Sequence, residues 1–306
     1  MPRPDEPGLV LAGLDGRNPL GFLAAVGAVR TATLAEPDSD WRMKWLERQG
    51  TWIPELSAVR AISRQELVAL LMPALRPEST PEFGFDKNLA VSPERFGEAA
   101  RSAQCCASLR DRRYADFMAS FGCEALTTRD GKIQDTALRT MSGAGHQHFI
   151  ATMKQLVHDT DDRDLYESLF ESWTYKNRKL GLRWDPQEDR RYALRWDNPS
   201  GGDGVPTMRG ANRLAVEALP LLPAVPVGRR LETTGFTRRD RATYLAWPIW
   251  ERALPVEVIR SLLALGAIQA PAPDRTMLWA RGIVEVYRSR RISNDKYRNF
   301  TPAHPA

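Results

Sequence analysis

The sequence predicts an α+β fold, with a mixed or antiparallel sheet and a helical middle region. Strand-like segments occur near the start and again after Leu180, while helical spacing dominates residues 64–173. A regular βαβ series would instead alternate strands and helices along the whole chain. The 306 residues suffice for one large domain, 1–306, with a possible division into a helical part, 1–175, and a strand-rich basic part, 176–306.

The first expected helix follows a short strand and has clear start signals. Leu9–Leu14 has the apolar character of a strand. Asn18 suits an N-cap and Pro19 suits the first helical position, so a helix is expected over Leu20–Leu34. Glycines inside this helix each cost about 1 kcal/mol relative to alanine, which indicates close packing against a neighbour. The next segment, Trp41–Trp52, is expected to form a short helix or an irregular excursion.

Helical spacing then continues through the middle of the chain. It predicts a helix over Arg64–Leu75, and the following proline-rich, acidic stretch predicts a loop over Arg76–Pro93. Further helices are expected within Pro93–Leu126, over His146–Val157 and over Asp164–Trp173, the last capped by Thr160 or Asp161.

Strands are expected to return in the last third. A hairpin near residues 182–197 precedes the flexible loop Ser200–Gly204. The later expected elements are a helix over Ala211–Leu219, a strand over Ala242–Trp250, a helix over Pro255–Leu265 and a strand over Gly282–Arg288.

Composition and charge narrow the classes of function. The formal charge is +5, arginine is much commoner than lysine, and there are nine tryptophans. This pattern is compatible with nucleic-acid contact and equally with an arginine-rich coding bias. The three cysteines lack CxxC spacing, so neither disulfides nor a zinc site are expected, and no cofactor is expected. The absence of a bilayer-length apolar segment and of a secretory signal predicts a cytoplasmic protein with no membrane partner.

The most informative stretch repeats Leu-Arg-Trp-Asp, at residues 182–185 and again at 194–197. If each copy is a strand, leucine and tryptophan share one face and arginine takes the other. Guanidinium groups bind phosphate oxygens and stack on bases, whereas the alternative is a half-buried hairpin whose arginines pair with nearby carboxylates. The expected phosphate ligands are Arg183, Arg190, Arg191 and Arg195, with Trp184 and Trp196 as anchors or stacking platforms.

A glycine-bearing loop before an expected helix is a candidate phosphate loop. Such a loop exposes backbone N–H groups to an anion, and the helix dipole assists. It is not a Walker loop, because no Gly-Lys-Ser/Thr follows, and the alternative is a tight turn that caps the helix. The expected loop residues are Ser142, Gly143 and Gly145, with Arg139 and Lys154 in assisting positions.

His146 and His148 follow this loop. Either histidine suits a general base near neutral pH. A metal site would need three or four converging ligands, and only Asp135 or His158 offers a third. A structural or RNA-stacking histidine remains the alternative to both.

Further arginines cluster in the second half of the chain. Arg209 and Arg213 flank the start of an expected helix, an arrangement suited to phosphate. Basic runs with interleaved aromatic residues are typical of single-strand binding, and the alternative for each run is a solvated surface. These runs are Arg229–Arg230, Arg238–Arg241 and Arg288–Arg291, the last continuing through Lys296, Tyr297, Arg298 and Phe300.

The segment Leu14–Gly27, Leu-Asp-Gly-Arg-Asn-Pro-Leu-Gly-Phe-Leu-Ala-Ala-Val-Gly, resembles the start of CRISPR-associated proteins of type I-G systems, formerly I-U. These are accessory and large-subunit-like proteins. The resemblance implies an RNA-guided effector, with CRISPR RNA, target DNA and the other effector subunits as partners. It carries no catalytic residues to this chain. Because the chain is short for a large subunit, an accessory or compact role is the expectation.

Three hypotheses follow. The first is a non-enzymatic, nucleic-acid-binding subunit of a type I CRISPR effector complex, in which base pairing reads the sequence and protein reads backbone and flank. The second is an enzyme acting on nucleic acid or a nucleotide, with His146 or His148 as the base beside the glycine loop. The third is a protein-only scaffold whose arginines meet acidic partners or remain internally paired.

Overall fold

The computed structural model describes residues 8–108, 111–141, 148–188, 205–294 and 297–306. It has helices and antiparallel sheets in a mixed arrangement, which confirms the α+β class. The helices of the described ranges are α1 Pro19–Ala35, α2 Arg64–Leu75, α3 Pro93–Cys106, α4 Arg113–Phe121, α5 Phe149–Asp159, α6 Asp162–Phe170, α7 Arg209–Val216, α8 Val256–Leu263 and α9 Arg275–Trp279.

Within the described ranges, the strands form four antiparallel sheets, and the largest of these joins the C-terminal strands in the order β11-β10-β9-β8, with β12 also paired to β10. The strands are β1 Leu9–Val10, β2 Arg42–Arg48, β3 Thr51–Ser57, β4 Gly122–Thr127, β5 Ile133–Asp135, β6 Ala224–Val227, β7 Arg230–Thr233, β8 Phe236–Arg239, β9 Ala242–Trp250, β10 Ile283–Asn294, β11 Tyr297–Phe300 and β12 His304–Pro305.

Helix α1 starts as its sequence predicts. The Asn18 side chain accepts hydrogen bonds from the backbone N–H groups of Leu20 and Gly21, and Pro19 occupies the first turn. Almost the whole helix is buried. A Cβ on Gly27 would lie 1.9 Å from the Leu214 carbonyl oxygen, so glycine permits the close contact between α1 and α7.

The segment at residues 41–52 forms a β-hairpin, and the expectation of a short helix or an excursion is wrong. Burial alternates along β2, where Met43 and Trp45 face the core while Arg42 and Lys44 are half exposed. This period of two is the strand signature. Gln49 has a φ of 51°, and the glycine that follows it also has positive φ, so the turn reverses the chain into β3.

The core joins the N-terminal helix to the C-terminal sheet. One cluster of buried apolar residues extends from Leu11 to Phe300. At its centre the Phe22 ring stacks on Trp45 with centroids 5.8 Å apart and also contacts Trp247 and Trp250. Both of those tryptophans belong to β9, so the central strand of the large sheet is fixed against α1.

The first Leu-Arg-Trp-Asp copy is not a strand, which corrects the expected hairpin at this position. Leu182 and Trp184 are buried as expected, but Arg183 has a φ of 61°, which breaks an extended run. A 3₁₀ turn over Pro186–Glu188 follows. The second copy and the loop Ser200–Gly204 lie outside the described residues.

The other expected elements lie within a few residues of their predicted bounds, and the structure adds elements that the sequence does not predict, among them β5, α9, β11 and β12. Helix α6 has the capping box that Asp161 and Asp164 make, and β10 continues six residues past the predicted end at Arg288. Strand β4 replaces the end of the helical region expected up to Leu126, and β6, β7 and β8 were not expected. Among the described helices, none combines the length and the apolar character that a bilayer crossing requires.

Candidate anion-binding site

The described residues of the Leu-Arg-Trp-Asp stretch are held by the protein itself. Trp184 is fully buried, and its Nε1 donates to the Leu138 carbonyl over 2.9 Å, so it is an anchor with no face open to a base. Arg183 donates from Nη1 to the backbone oxygen of Glu188 over 2.7 Å. Its backbone N–H donates to the Glu188 carboxylate over 2.7 Å. The Arg183 guanidinium is therefore bonded within the protein, but to a backbone carbonyl rather than to one of the nearby carboxylates that the alternative names.

Arg209 and Arg213 also have carboxylate partners. Arg209 Nε donates to Asp164 over 2.7 Å, at the surface between α6 and α7. Arg213 is fully buried, where it donates to the Leu75 carbonyl over 2.9 Å and to Glu217 over 2.8 Å. Burial therefore excludes Arg213 from the predicted contact with phosphate.

His148 lies at the N-cap of α5. Its Nδ1 is 3.3 Å from the side-chain nitrogen of Asn88, and the Asn88 oxygen accepts from the Phe149 N–H over 2.8 Å. Across the described ranges, no three His, Cys, Asp or Glu side chains are grouped to hold a metal ion. The other predicted site residues, Arg190, Arg191, Arg195, Trp196, Ser142, Gly143, Gly145 and His146, lie outside the described residues.

A different set of arginines converges on one cavity. The cavity has a volume of about 310 Å³ and lies between the C-terminal sheet and the segment 128–139. We call it the arginine cleft and define it by Arg139, Arg238, Arg291 and Arg298.

Strand register brings three of these arginines to one face of the sheet. Arg291 in β10 lies opposite Thr243 in β9, and Thr243 lies opposite Arg238 in β8. On the other side of β10, Ser293 lies opposite Arg298 in β11. Directly opposed residues of antiparallel strands share a face, as do residues two apart on one strand. All five side chains therefore point to the same side of the sheet.

The segment 128–139 forms the wall of the cleft opposite the sheet, and it carries the fourth arginine, Arg139, and an acid, Asp135. Asp135 ends β5, and Arg139 Nε lies 2.7 Å from its Oδ2 in a largely buried ion pair. Arg291 Nη2 donates to the backbone oxygen of Arg139 over 2.7 Å and so joins the two walls. Asp135 is the one carboxylate among the described residues that line the cavity, so four guanidinium groups meet one negative charge.

Positive charge is in excess among the described residues of the cleft, and this affects the pKa values of its arginines. Burial lowers the pKa of Arg291 to about 9; the positive charges of Arg298, Arg139 and Arg238 act in the same direction, and Asp135 opposes them. Burial and the charge of Arg139 likewise lower the pKa of Arg298. Within the described structure, the Nε atoms of Arg291 and Arg298 are buried without a hydrogen-bond partner. Buried donors and charges without partners are costly, so this arrangement favours an anion.

The cleft continues beyond Arg238 into a second, smaller cavity of about 200 Å³. Arg238, Thr243 and Leu231 line both cavities. The smaller one adds Arg230, the exposed acid Glu232 and the half-buried ring of Phe236. An aromatic surface thus lies beside the cationic one.

Arg238 belongs to one basic run of the sequence, Arg291 and Arg298 belong to another, and Arg139 precedes the glycine loop, so the sequence does not show that the four converge. Alternation along β10 was the available signal, because a strand that continues past Arg288 places Arg291 and Ser293 on one face and Arg290 on the other. The contribution of Arg139 depends on a contact between segments about 150 residues apart, which no local pattern encodes.

No protein-family model, no curated protein and no solved structure matches this chain.

Proposed function

We propose that this protein binds nucleic acid through the arginine cleft and does not cleave it. The observation that carries the proposal is the meeting, among the described residues that line one cavity, of four guanidinium groups with a single carboxylate. Planar guanidinium groups bind phosphate oxygens in bidentate fashion, and charge-assisted bonds of this kind are the strong ones. An anion rich in oxygen acceptors is the ligand that this donor set fits.

Phosphate is favoured over carboxylate because of the density of donors. The hydroxyl groups of Thr243 and Ser293 line the same cavity as the guanidinium groups, so the lining offers more donors than one carboxylate has lone pairs to accept. The formal charge of +5 further favours a polyanionic partner over an acidic side chain.

The resemblance of residues 14–27 is the basis for placing this binding within a type I CRISPR effector, with CRISPR RNA or target DNA as the strand. The proposed role there is that of a non-enzymatic subunit. Expression together with the neighbouring genes of its genome tests this part. Recovery of a stable complex that contains RNA supports it, and isolation of the protein alone, free of RNA, contradicts it.

Binding itself is tested by fluorescence anisotropy with single-stranded RNA, single-stranded DNA and duplex DNA over a salt series. We expect affinity that falls steeply with salt, because phosphate contacts release counterions. The same samples on a denaturing gel, with and without magnesium or manganese, should show intact strands. Cleavage of the strands would contradict the proposal that the protein is not an enzyme.

A matched pair of variants connects the binding to the cleft. Arg290 and Arg291 are adjacent in β10 but point to opposite faces of the sheet, and Arg290 is exposed. We expect Arg291→Gln to weaken binding about tenfold, the value of one charge-assisted hydrogen bond, and Arg290→Gln to leave it nearly unchanged. Equal losses in both variants would show that binding is a diffuse property of the surface. No binding at low salt would favour the scaffold hypothesis.

A further inference from the structure

We infer that the arginine cleft holds a terminal phosphate, the phosphomonoester or diphosphate group of a strand end or a nucleotide, rather than an internal phosphodiester of a continuous backbone. This inference rests on the proposed function, since it specifies which part of a nucleic acid enters the cleft. Charge, donor number and the shape of the walls each support it.

Charge balance is the first argument. Four guanidinium groups and the Asp135 carboxylate leave a formal charge of +3 among the described lining residues. An internal phosphodiester carries a single negative charge. A terminal phosphate carries about −1.5 to −2 at neutral pH, and a diphosphate carries more. The terminal group therefore matches the cleft more closely.

The number of donors gives the second argument. The buried Nε atoms of Arg291 and Arg298 have no partner in the described structure, and Arg238 is exposed beside them without an ion pair there. A terminal phosphate offers three unesterified oxygens to such donors, whereas a phosphodiester offers two. The third oxygen allows the same phosphorus to be reached from both walls.

The hydrogen bonds that hold the segment 128–139 in place give the third argument. The hydrogen bond from Arg291 to the Arg139 backbone connects the β5 segment to β10. In addition, Gln134 Oε1 accepts from the Leu231 N–H over 3.0 Å, and Thr233 Oγ1 accepts from the Ala137 N–H over 2.9 Å, which ties the same segment to β7. A strand threaded between this segment and β10 would have to break the bond from Arg291 to Arg139, while a strand end that enters beside the exposed Arg238 leaves it intact.

Room for the attached nucleoside exists next to the phosphate position. The adjoining cavity shares Arg238 and Thr243 with the cleft and is lined by Phe236. Phe236 packs on Phe300, with ring centroids 6.1 Å apart, which fixes its ring beside the cavity. Bases stack on such aromatic surfaces with little sequence preference.

The test compares one labelled oligonucleotide in three forms, with a 5′-phosphate, with a 3′-phosphate and with hydroxyl groups at both ends. We expect one phosphorylated form to bind about tenfold more tightly than the hydroxyl form, and inorganic pyrophosphate to compete with it. The Arg298→Gln variant should bind the phosphorylated and hydroxyl forms equally, while the Arg290→Gln variant should keep the tighter binding of the phosphorylated form. Thermal unfolding of each variant without ligand checks folding, and Arg238→Gln, at an exposed position, serves if Arg298→Gln does not fold.

The outcomes separate this inference from the proposed function. Equal affinity for the three forms, together with a loss in Arg291→Gln, would overturn the terminal-phosphate inference and leave nucleic-acid binding in place. Stabilisation by a mononucleotide and by pyrophosphate, without binding of any oligonucleotide, would support the terminal-phosphate site and overturn the proposed function. Absence of any effect from oligonucleotide, mononucleotide or pyrophosphate would overturn both.

Discussion

Arg213 Nη2 donates a 2.8 Å hydrogen bond to Glu217 Oε1 at the end of α7, and neither side chain reaches solvent. The other oxygen of the same carboxylate accepts from Arg30 over 3.0 Å and from Arg113 over 2.6 Å. Glu82, which pairs with Arg113 over 2.7 Å, is the second acid of this cluster. The Glu217 carboxylate thus pairs with one arginine from each of three helices, Arg30 of α1, Arg113 of α4 and Arg213 of α7. The cluster differs from the arginine cleft, because here the guanidinium groups have carboxylate partners.

Replacing Glu217 by glutamine should strongly destabilise the protein. The variant keeps the shape of the side chain but leaves Arg30, Arg113 and Arg213 with Glu82 as their remaining acid. Removal of one partner from a buried ion pair costs about 3 to 5 kcal/mol. Urea unfolding at pH 7 measures the loss. Glu78→Gln, at an exposed loop position, is the control and should change the free energy of unfolding by less than about 0.5 kcal/mol. Similar stability of the two variants would contradict the role assigned to Glu217.

Glu188 gives a pH-dependent prediction. Burial raises the pKa of its carboxyl to about 7, against the opposing effects of the Arg183 charge and the Thr207 hydrogen bond. The folded protein therefore retains this proton up to about pH 7, whereas the unfolded chain loses it near pH 4.3. Because ionisation of Glu188 disfavours the folded state, the contribution of this carboxyl to the free energy of unfolding falls as pH rises from about 4.3 to 7. Above pH 7 its contribution is constant.

The Glu188→Gln variant should remove this dependence. Relative to the parent protein, its free energy of unfolding should rise by about 3 kcal/mol between pH 4.5 and pH 7.5, since one pKa unit corresponds to about 1.36 kcal/mol. Urea unfolding of both proteins over this pH range gives the difference. The difference is the quantity to follow, because Asp185 beside it is also buried and its pKa is raised by burial as well. Parallel pH profiles would show that Glu188 is ionised in the folded protein.

Local signals account for the parts of the fold that the sequence predicts. Asn18 and Pro19 locate the start of α1, and Asp161 locates the start of α6, because capping depends on residues within one turn of each other. The hairpin at residues 41–52 is different. Its polar outer face obscures the two inward residues, Met43 and Trp45, and its stability comes from pairing with β1 and packing on β9.

The candidate site shows the same division between local and distant information. Runs of arginine are visible in the sequence, but they do not show which members are paired inside the protein. Arg213 and Arg291 both have other arginines close by in the sequence, and that feature does not distinguish a paired arginine from one that faces a cavity. The first has Glu217 four residues later, a helical spacing that places both side chains on one face. The second meets Arg139 only through tertiary contact, so its exposure to a ligand depends on the complete fold.

Gly27→Ala should disrupt the contact between α1 and α7. The added Cβ would lie 1.9 Å from the Leu214 carbonyl oxygen, which belongs to the backbone and cannot rotate away. Overpacking of this kind costs about 1 to 3 kcal/mol or more, against a gain in helix propensity of about 1 kcal/mol. Gly266→Ala is the matched control, because among the described residues no atom beyond Gly266 and its two chain neighbours lies within 4 Å of the added Cβ. Thermal unfolding of the two variants should show a lower melting temperature for Gly27→Ala alone.

Arg291→Met should stabilise the ligand-free protein while it weakens binding. A base whose pKa is lowered on folding opposes the folded state at every pH below that pKa, so with a value of about 9 the whole cost is present at pH 7. Methionine removes the charge and fills similar space, but loses the hydrogen bond to the Arg139 carbonyl, which is worth about 1 kcal/mol. We expect a net gain of at least about 1 kcal/mol in urea unfolding without phosphate, since each unit by which the pKa is lowered corresponds to about 1.36 kcal/mol and outweighs the lost hydrogen bond. Pyrophosphate should then stabilise the parent protein and not the variant, because the ligand supplies the negative charge that the cleft lacks.

Destabilisation of the ligand-free variant by more than about 1 kcal/mol would mean that Arg291 supports the fold rather than a ligand. A gain in stability together with a loss of binding is instead the pattern of a site maintained for function.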